Sequence, residues 1–244
     1  MGFKDYLNVY EFECELPGTG EKILYKPITT SQIKKLLVYE NENNPIKIEE
    51  AFDELIKSCV ISPKFNIDEI FLEDRYFLLI ELRKASKGSV YEFKFSCPKC
   101  KSDNLFGVDM DGFKVTKRPK KVDGKMPLSE EISLFITHIT RGQQKAAYKD
   151  IDAKLPLKQL QAEMALNSVA ASISEIETPD GLEKDLKFKD QKYIMDNLSF
   201  NIFDDIKKWY DENDFGIDLS YDVKCTHCDF KSKKELLRID SNFF

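Results

Sequence analysis

The sequence predicts an α+β fold: an N-terminal hairpin and helices, two Cys-x-x-Cys knuckles, and a helix-rich insert between them. Three observations lead there. Tyr10, Phe12, Cys14 and Leu16 alternate with Glu11, Glu13 and Glu15, the period-two pattern of a half-buried strand. Apolar residues then recur at helical spacing in three successive stretches ahead of Gly88. Two cysteine pairs, Cys97-Pro98-Lys99-Cys100 and Cys225-Thr226-His227-Cys228, each follow an alternating, strand-like stretch.

In chain order, Pro17-Gly18-Thr19-Gly20 predicts a turn, and residues 22–26 the return strand, which Pro27 ends. Thr29 and Gln32 stand at capping-box spacing before a first helix that bears Ile33, Leu36, Leu37 and Glu40. Residues 41–45 break it, and Ile48, Phe52, Leu55, Ile56 and Cys59 form the apolar stripe of a second helix. A third, starting at Asn66 or Asp68, carries Ile70, Leu72, Tyr76, Phe77, Leu78, Leu79, Ile80 and Leu82. It is apolar nearly all round, so it belongs at the centre of the core. Lys84, Lys87 and Gly88 suit its C-terminus, where cations meet the helix dipole and glycine tolerates a left-handed cap.

Residues 89–96 place Tyr91, Phe93 and Phe95 on one face of a strand that runs into the first cysteine pair. Residues 104–109 predict a short strand, and Asp109-Met110-Asp111-Gly112 a turn, because the downstream acidic ligands of a calcium loop are missing. The basic stretch 114–121, with Pro119, reads as a solvated linker. A strand over 132–140 follows, then helices over 140–154 and 157–172 and two short strands around Pro179-Asp180-Gly181. Amphipathic helices over 188–197 and 202–211 come next, the second bearing Ile202, Phe203, Ile206, Trp209 and Tyr210. After a connector at 213–216, Leu219, Tyr221 and Val223 alternate into the second pair, and residues 230–239 return as a partner strand. The organisation is an α+β unit with the first knuckle (1–112), a helix-rich insert (113–215), and a second knuckle with its tail (216–244).

Composition narrows the function classes. The 244 residues are 42% hydrophobic and 12% aromatic, enough for a real core. The net charge of −6 argues against a nucleic-acid grip through a basic face. No apolar run approaches the roughly 20 residues of a membrane span, and Met1-Gly2-Phe3-Lys4-Asp5-Tyr6 has neither a secretory apolar core nor a myristoylation signal. The expected compartment is a reducing cytoplasm. There, paired thiols at this spacing read as metal ligands or redox dithiols before disulfides.

A tetrahedral zinc site needs four thiolates, and a Cys-x-x-Cys turn presents two of them. Cys97, Cys100, Cys225 and Cys228 therefore make one complete structural Zn2+ site, in a zinc-ribbon-like layout of strand, knuckle and returning strand used twice. About 120 residues lie between Cys100 and Cys225, so the fold itself must bring the halves together. The competing readings are a redox dithiol and unmetallated thiols. His227 reads as a solvated turn residue, and Cys14 and Cys59 as small core hydrophobes.

Catalytic patterns are sparse. There is no phosphate-cradling glycine-rich loop and no G-x-S-x-G elbow. The two histidines are His138 and His227, and His138 lies between Ile136 and Ile139, where a packed or edge-strand role is the simpler reading. Four thiolates close the zinc shell, whereas catalytic zinc keeps a position open. Arg83 ends the most apolar helix, two positions after Glu81. It reads either as a snorkelling side chain paired to a carboxylate or as a buried anchor to a loop or partner subunit.

With these residues in view, the chain resembles the baseplate hub and hub-assembly proteins of T4-type contractile-tailed phages. The resemblance rests on Tyr25-Lys26-Pro27-Ile28-Thr29, on Ile56-Lys57-Ser58-Cys59, and on the run from Phe77 through Leu82-Arg83-Lys84-Ala85-Ser86-Lys87-Gly88 into the first knuckle. It continues with Gly216-Ile217-Asp218, the second knuckle with Asp229-Phe230, and Ile239-Asp240-Ser241-Asn242-Phe243-Phe244. Lys87 departs from the family pattern, in which a small uncharged residue precedes the glycine. The resemblance implies a virus-encoded, non-enzymatic protein that binds other baseplate hub proteins, with no nucleic-acid, membrane or small-molecule partner. It implies action in the host cytoplasm during assembly, either as a part then retained in the virion tail baseplate or as a factor released after assembly. Phe243 and Phe244, with Arg83, are then candidate partner contacts, because exposed aromatics anchor interfaces. The alternatives are that the two rings pack on their own ribbon, and that the chain is a zinc-dependent or dithiol redox enzyme.

Overall fold

In the computed structural model, which describes residues 10–39, 44–236, 239, 243 and 244, strands β1 (Phe12–Glu15) and β2 (Lys22–Tyr25) pair antiparallel from Phe12↔Tyr25 to Glu15↔Lys22. Period-two alternation sends Cys14, Ile23 and Tyr25 toward the core and the glutamates outward. Thr29 caps helix α1 (Thr30–Leu37) with the reciprocal box its sequence encodes: its side chain accepts from the Gln32 N–H, and the Gln32 carboxamide accepts from the Thr29 N–H. Helix α2 (Pro45–Cys59) begins with Asn44 as its cap and proline at its first turn. The readings at Met1 to Tyr6, Glu40, residues 41–43, the return strand beyond residue 236 and residues 240–242 lie outside the described residues.

Helix α3 (Leu72–Lys87) starts later than its periodicity predicts. The stretch before it is committed elsewhere: Phe71 bridges Thr140, the Leu72 N–H donates to the Ile139 carbonyl, and the Arg141 N–H donates to the Ile70 carbonyl. Those bonds hold the backbone extended, and an extended backbone cannot start a helix. Gly88 ends α3 at φ +87°, the region that excludes most side chains. As the periodicity requires, Phe77, Leu78, Leu79, Ile80 and Leu82 are all buried. They meet Leu16, Ile23, Leu36, Phe52 and Ile56 in the main core.

Two further hairpin strands follow, β3 (Val90–Ser96) and β4 (Asp103–Asp109), in register from Val90↔Asp109 to Ser96↔Asp103. After a single helical turn at Met110–Gly112 comes β5 (Val115–Thr116). Strands β6 (Lys125–Pro127) and β7 (Ser133–Ile136) precede helices α4 (Arg141–Tyr148) and α5 (Leu157–Ala171). Strands β8 (Ile173–Thr178) and β9 (Gly181–Glu183) complete a four-stranded antiparallel sheet in the order β6-β7-β8-β9. Helices α6 (Phe188–Asn197) and α7 (Phe200–Glu212) cover it, and Met126, Leu134, Ile136, Ile173, Ile206 and Trp209 form a second core. Strand β10 (Gly216–Ile217) leads into the hairpin of β11 (Ser220–Lys224) and β12 (Lys231–Leu236).

Residues 113–215 thus carry a sheet beside their helices. Strand β6 has three residues and β5 two, too few for a period to register. Residues 114–121 are more than a solvated linker: β5 pairs with β10, and the Arg118 guanidinium lies 4.5 Å from the Phe71 ring centroid.

A buried ionic cluster joins three helices. The Asp53 carboxylate of α2 accepts from Arg75 of α3 at 2.7 Å and from Arg141 of α4 at 2.8 Å, while Arg75 also meets Glu49 at 2.6 Å. Burial alone raises the Asp53 carboxyl, but the two guanidiniums override it and hold the group below its usual range.

A second set of buried charges lies at the α3 N-terminus. Asp74 accepts the Gly18 N–H at 2.6 Å. A Cβ at Gly18 would stand 2.6 Å from Asp74 Oδ2 and 2.7 Å from both Phe71 and Phe215, so only glycine fits there. Burial pushes Glu73 up to about 7 and Asp74 up to about 6, with Asp214 adding repulsion at Glu73 and Arg118 opposing both. A carboxyl that holds its proton longer in the folded state makes the folded chain bind more protons, so its contribution is retained at low pH and lost as pH rises toward 7. His138 works in the opposite sense: burial depresses it to about 4, so it favours the folded state increasingly up to pH about 6.5. The comparison that isolates the carboxyl is Glu73→Gln against wild type. The variant is expected to gain melting temperature relative to wild type as pH goes from 5 to 8; a pH-independent difference contradicts the assignment.

Candidate metal centre

Each cysteine pair sits in a turn closed by the same backbone bond. The Cys97 N–H donates to the Ser102 carbonyl at 3.0 Å, and the Cys225 N–H donates to the Phe230 carbonyl at 3.0 Å. Lys101 takes φ +62° to complete the first turn. The predicted aromatic face of β3 docks the two hairpins. Phe93 of β3 and Phe106 of β4 lie 5.7 and 5.9 Å from the Tyr221 ring of β11, and Phe95 stacks on Phe230 at 6.1 Å. Lys99 Nζ reaches Asp229 at 2.5 Å across the two turns, an exposed pair of small energetic weight.

This docking brings together four sulfurs from stretches far apart in sequence. Cys97 Sγ lies 3.7 Å from Cys228 Sγ, and Cys100 Sγ lies 3.7 Å from Cys225 Sγ. All four lie within 4.8 Å of one another and form, among the described residues, the one cluster of metal-ligating side chains. A tetrahedron with metal–sulfur bonds of about 2.3 Å has edges of about 3.8 Å. The two 3.7 Å separations match that edge and are far from the roughly 2.05 Å of a disulfide.

The electrostatics suit a cation. Hydrogen bonds from the Ser102 hydroxyl and amide hold the Cys100 thiol down to about 6. At Cys225, burial acts upward, but the His227 amide and the Asn104 carboxamide outweigh it and lower the thiol. Cys228 is pushed up to about 12: the Phe230 amide opposes this, and burial with the neighbouring sulfurs prevails. Four adjacent thiols cannot all ionise on their own, and a dication at their centre removes that obstacle.

Sequence reasoning missed Asn104. Its Oδ1 accepts from the Thr226 N–H at 2.8 Å and the Thr226 hydroxyl at 2.7 Å, and its Nδ2 faces Ser102 O at 3.0 Å and Cys225 Sγ at 3.6 Å. The available signal was a polar residue at an inward position of a strand directly after a knuckle.

The remaining candidates resolve as follows. His227 is exposed and outside the sulfur cluster. His138 is packed among Trp209, Tyr210 and Phe215, with ring centroids 4.8 to 5.6 Å away. Cys59 is buried, Cys14 packs half-buried on the main core, and burial pushes their thiols up to about 11 and about 12. Arg83 is the buried anchor, and it ties α3 to its own chain: Nε donates to the Phe243 carbonyl at 2.8 Å and Nη1 to the Gly88 carbonyl at 3.0 Å.

The reading of Phe243 and Phe244 as exposed docking anchors needs correction. Both rings are buried, Phe243 at 0% exposure, against Tyr91 at 5.2 Å and Phe52 at 6.1 Å. The main core had room for them, and burying two large rings outweighs leaving them in water. Arg83 serves the same internal clamp. Phe243→Ala is accordingly expected to cost about 3–5 kcal/mol of monomer stability in urea denaturation; a cost below about 1 kcal/mol would contradict the burial.

No described helix is long and apolar enough to cross a membrane. No curated protein and no solved structure matches the chain. A family described as T4 bacteriophage base plate protein matches residues 8–244. With its strands, its central helix and both knuckles inside that match, the chain belongs to the T4 bacteriophage base plate protein family.

Proposed function

We propose that this baseplate protein is a non-enzymatic component or assembly factor of the central hub, acting by protein–protein binding. In this reading Cys97, Cys100, Cys225 and Cys228 hold one structural Zn2+, and residues 113–215 are an insert between the two halves of the zinc module. The observation that carries the reading is the convergence of four sulfurs within 4.8 Å of one another, two of the separations between the pairs being 3.7 Å, close to the edge of a zinc–thiolate tetrahedron, in a chain of this family. A closed four-thiolate shell offers no open position for water or substrate, so the metal's work is mechanical. Structural zinc contributes apparent binding energies of about 10–16 kcal/mol, which become folding energy where the unfolded chain has no site. That gain fixes a rigid surface, and rigid surfaces bind partners without an ordering cost. The site of action is the host cytoplasm during assembly and, for a retained component, the tail baseplate afterwards, with other hub proteins as partners.

The experiment is native co-purification of the full chain with the other baseplate proteins of its phage, with metal analysis of the same sample. The expected result is a stable complex with a hub protein and one zinc per chain. A zinc-free chain whose cysteines cycle between dithiol and disulfide with glutathione would contradict it and favour the redox alternative.

A further inference from the structure

Asn104 sits where the two knuckles meet, and it is only 4% exposed. It occupies an inward position of β4, two residues after the end of the first turn at Ser102. The strand shares that face with Val108, so an apolar residue would be the default there. A buried carboxamide is tolerated where both of its ends are used. Here the orientation is set by chemistry: the Thr226 amide can only donate, so the oxygen of Asn104 must face it, and the hydroxyl of Thr226 joins at the same oxygen. The NH2 end is left facing the Ser102 carbonyl and the Cys225 sulfur. One side chain therefore holds the turn of the first knuckle, the backbone of the second, and a ligating sulfur.

We infer that Asn104 is a positioning residue of the metal centre, which locks the two knuckles in register and directs an N–H at the Cys225 sulfur. The inference rests on the zinc reading given above. Four thiolates around a dication leave two excess negative charges, and N–H groups aimed at sulfur offset them. Cys225 receives two such groups, from the His227 amide at 3.3 Å and from Asn104 at 3.6 Å. A further cross-knuckle polar link, Lys99 to Asp229, is exposed and joins two side chains outside the sulfur cluster. Asn104→Asp is the sharpest probe. It keeps the shape and the oxygen that accepts from Thr226, but turns a second oxygen on the Ser102 carbonyl and on the sulfur.

The test titrates the full chain, wild type and variants, with zinc against a chelator of known affinity, and repeats the titration with cobalt(II). N104D is expected to weaken zinc binding about 10–100-fold and N104A about 10-fold, the usual penalty for removing an outer-shell partner. Both variants are expected to move the sulfur-to-cobalt charge-transfer band to longer wavelength, because a sulfur relieved of a hydrogen bond gives up electron density more easily. Loss of packing alone does not move that band. If N104D does not fold, N104A carries the same comparison. Variant affinities within twofold of wild type with an unshifted band overturn the inference and leave the zinc reading standing. A wild-type chain that takes up no zinc overturns both.

Discussion

Cys97→Ser and Cys225→Ser are expected to abolish tight zinc binding and to lower the melting temperature of the chain by the same amount. The two residues lie in different hairpins, far apart in sequence, and their equivalence is the signature of a shared site. A serine hydroxyl stays protonated where a thiol ionises, so three sulfurs remain and the tetrahedron opens. The lost binding energy, about 10–16 kcal/mol when the site is absent from the unfolded chain, is comparable with the whole stability of a domain. The β3–β4 and β11–β12 hairpins should therefore melt first, because each is a two-stranded sheet of the kind that is marginal by itself. The helical core around α3, with its own buried residues, should persist to higher temperature. Cys14→Ser, outside the cluster, is the control and should keep full zinc. Zinc content and differential scanning calorimetry read the outcome; one ligand variant with full zinc and wild-type melting defeats the shared-site account.

Asp53→Ala is expected to destabilise the fold by about 3–5 kcal/mol, because removing one partner of a buried ion pair strands the other. Arg75 and Arg141 are both almost fully buried against this one carboxylate. After the substitution Arg75 keeps Glu49, but among the described residues Arg141 keeps only the side chain of Gln144 and is left with a desolvated charge. Helices α2, α3 and α4 meet at this point, so the loss should appear as a lower urea midpoint with an unchanged slope. Asp68→Ala is the control. Its carboxylate meets Lys145 at 2.6 Å but is half exposed, and exposed pairs contribute less than about 1 kcal/mol. Equal effects of the two substitutions would mean that the Asp53 cluster is neutral to stability.

What the sequence made legible was local or periodic. The capping box at Thr29 and Gln32, the stripe of α2, the apolar α3 and the aromatic face of β3 each follow from neighbours within a few positions. The cysteine cluster was legible because its chemistry admits few alternatives, although the fold had to supply the convergence. What stayed hidden depends on distant partners. Asp53 meets Arg75 and Arg141 from 22 and 88 positions away, and nothing in a single sequence marks one carboxylate among many as theirs. The late start of α3 is set by pairing with residues 139–141, and periodicity cannot register that competition. Phe243 and Phe244 looked like docking anchors because an aromatic pair reads the same whether its pocket lies in a partner or in its own core. Asn104 was passed over because an asparagine at the start of a short predicted strand shows nothing of what its side chain meets until its two ends are seen to be in use.

X-ray absorption at the zinc edge of the purified full chain, with metal quantified per chain, tests the central claim most directly. The account predicts one zinc per chain with four sulfur neighbours at about 2.3 Å. A first shell containing nitrogen or oxygen, or half a zinc per chain shared between two copies, would contradict it.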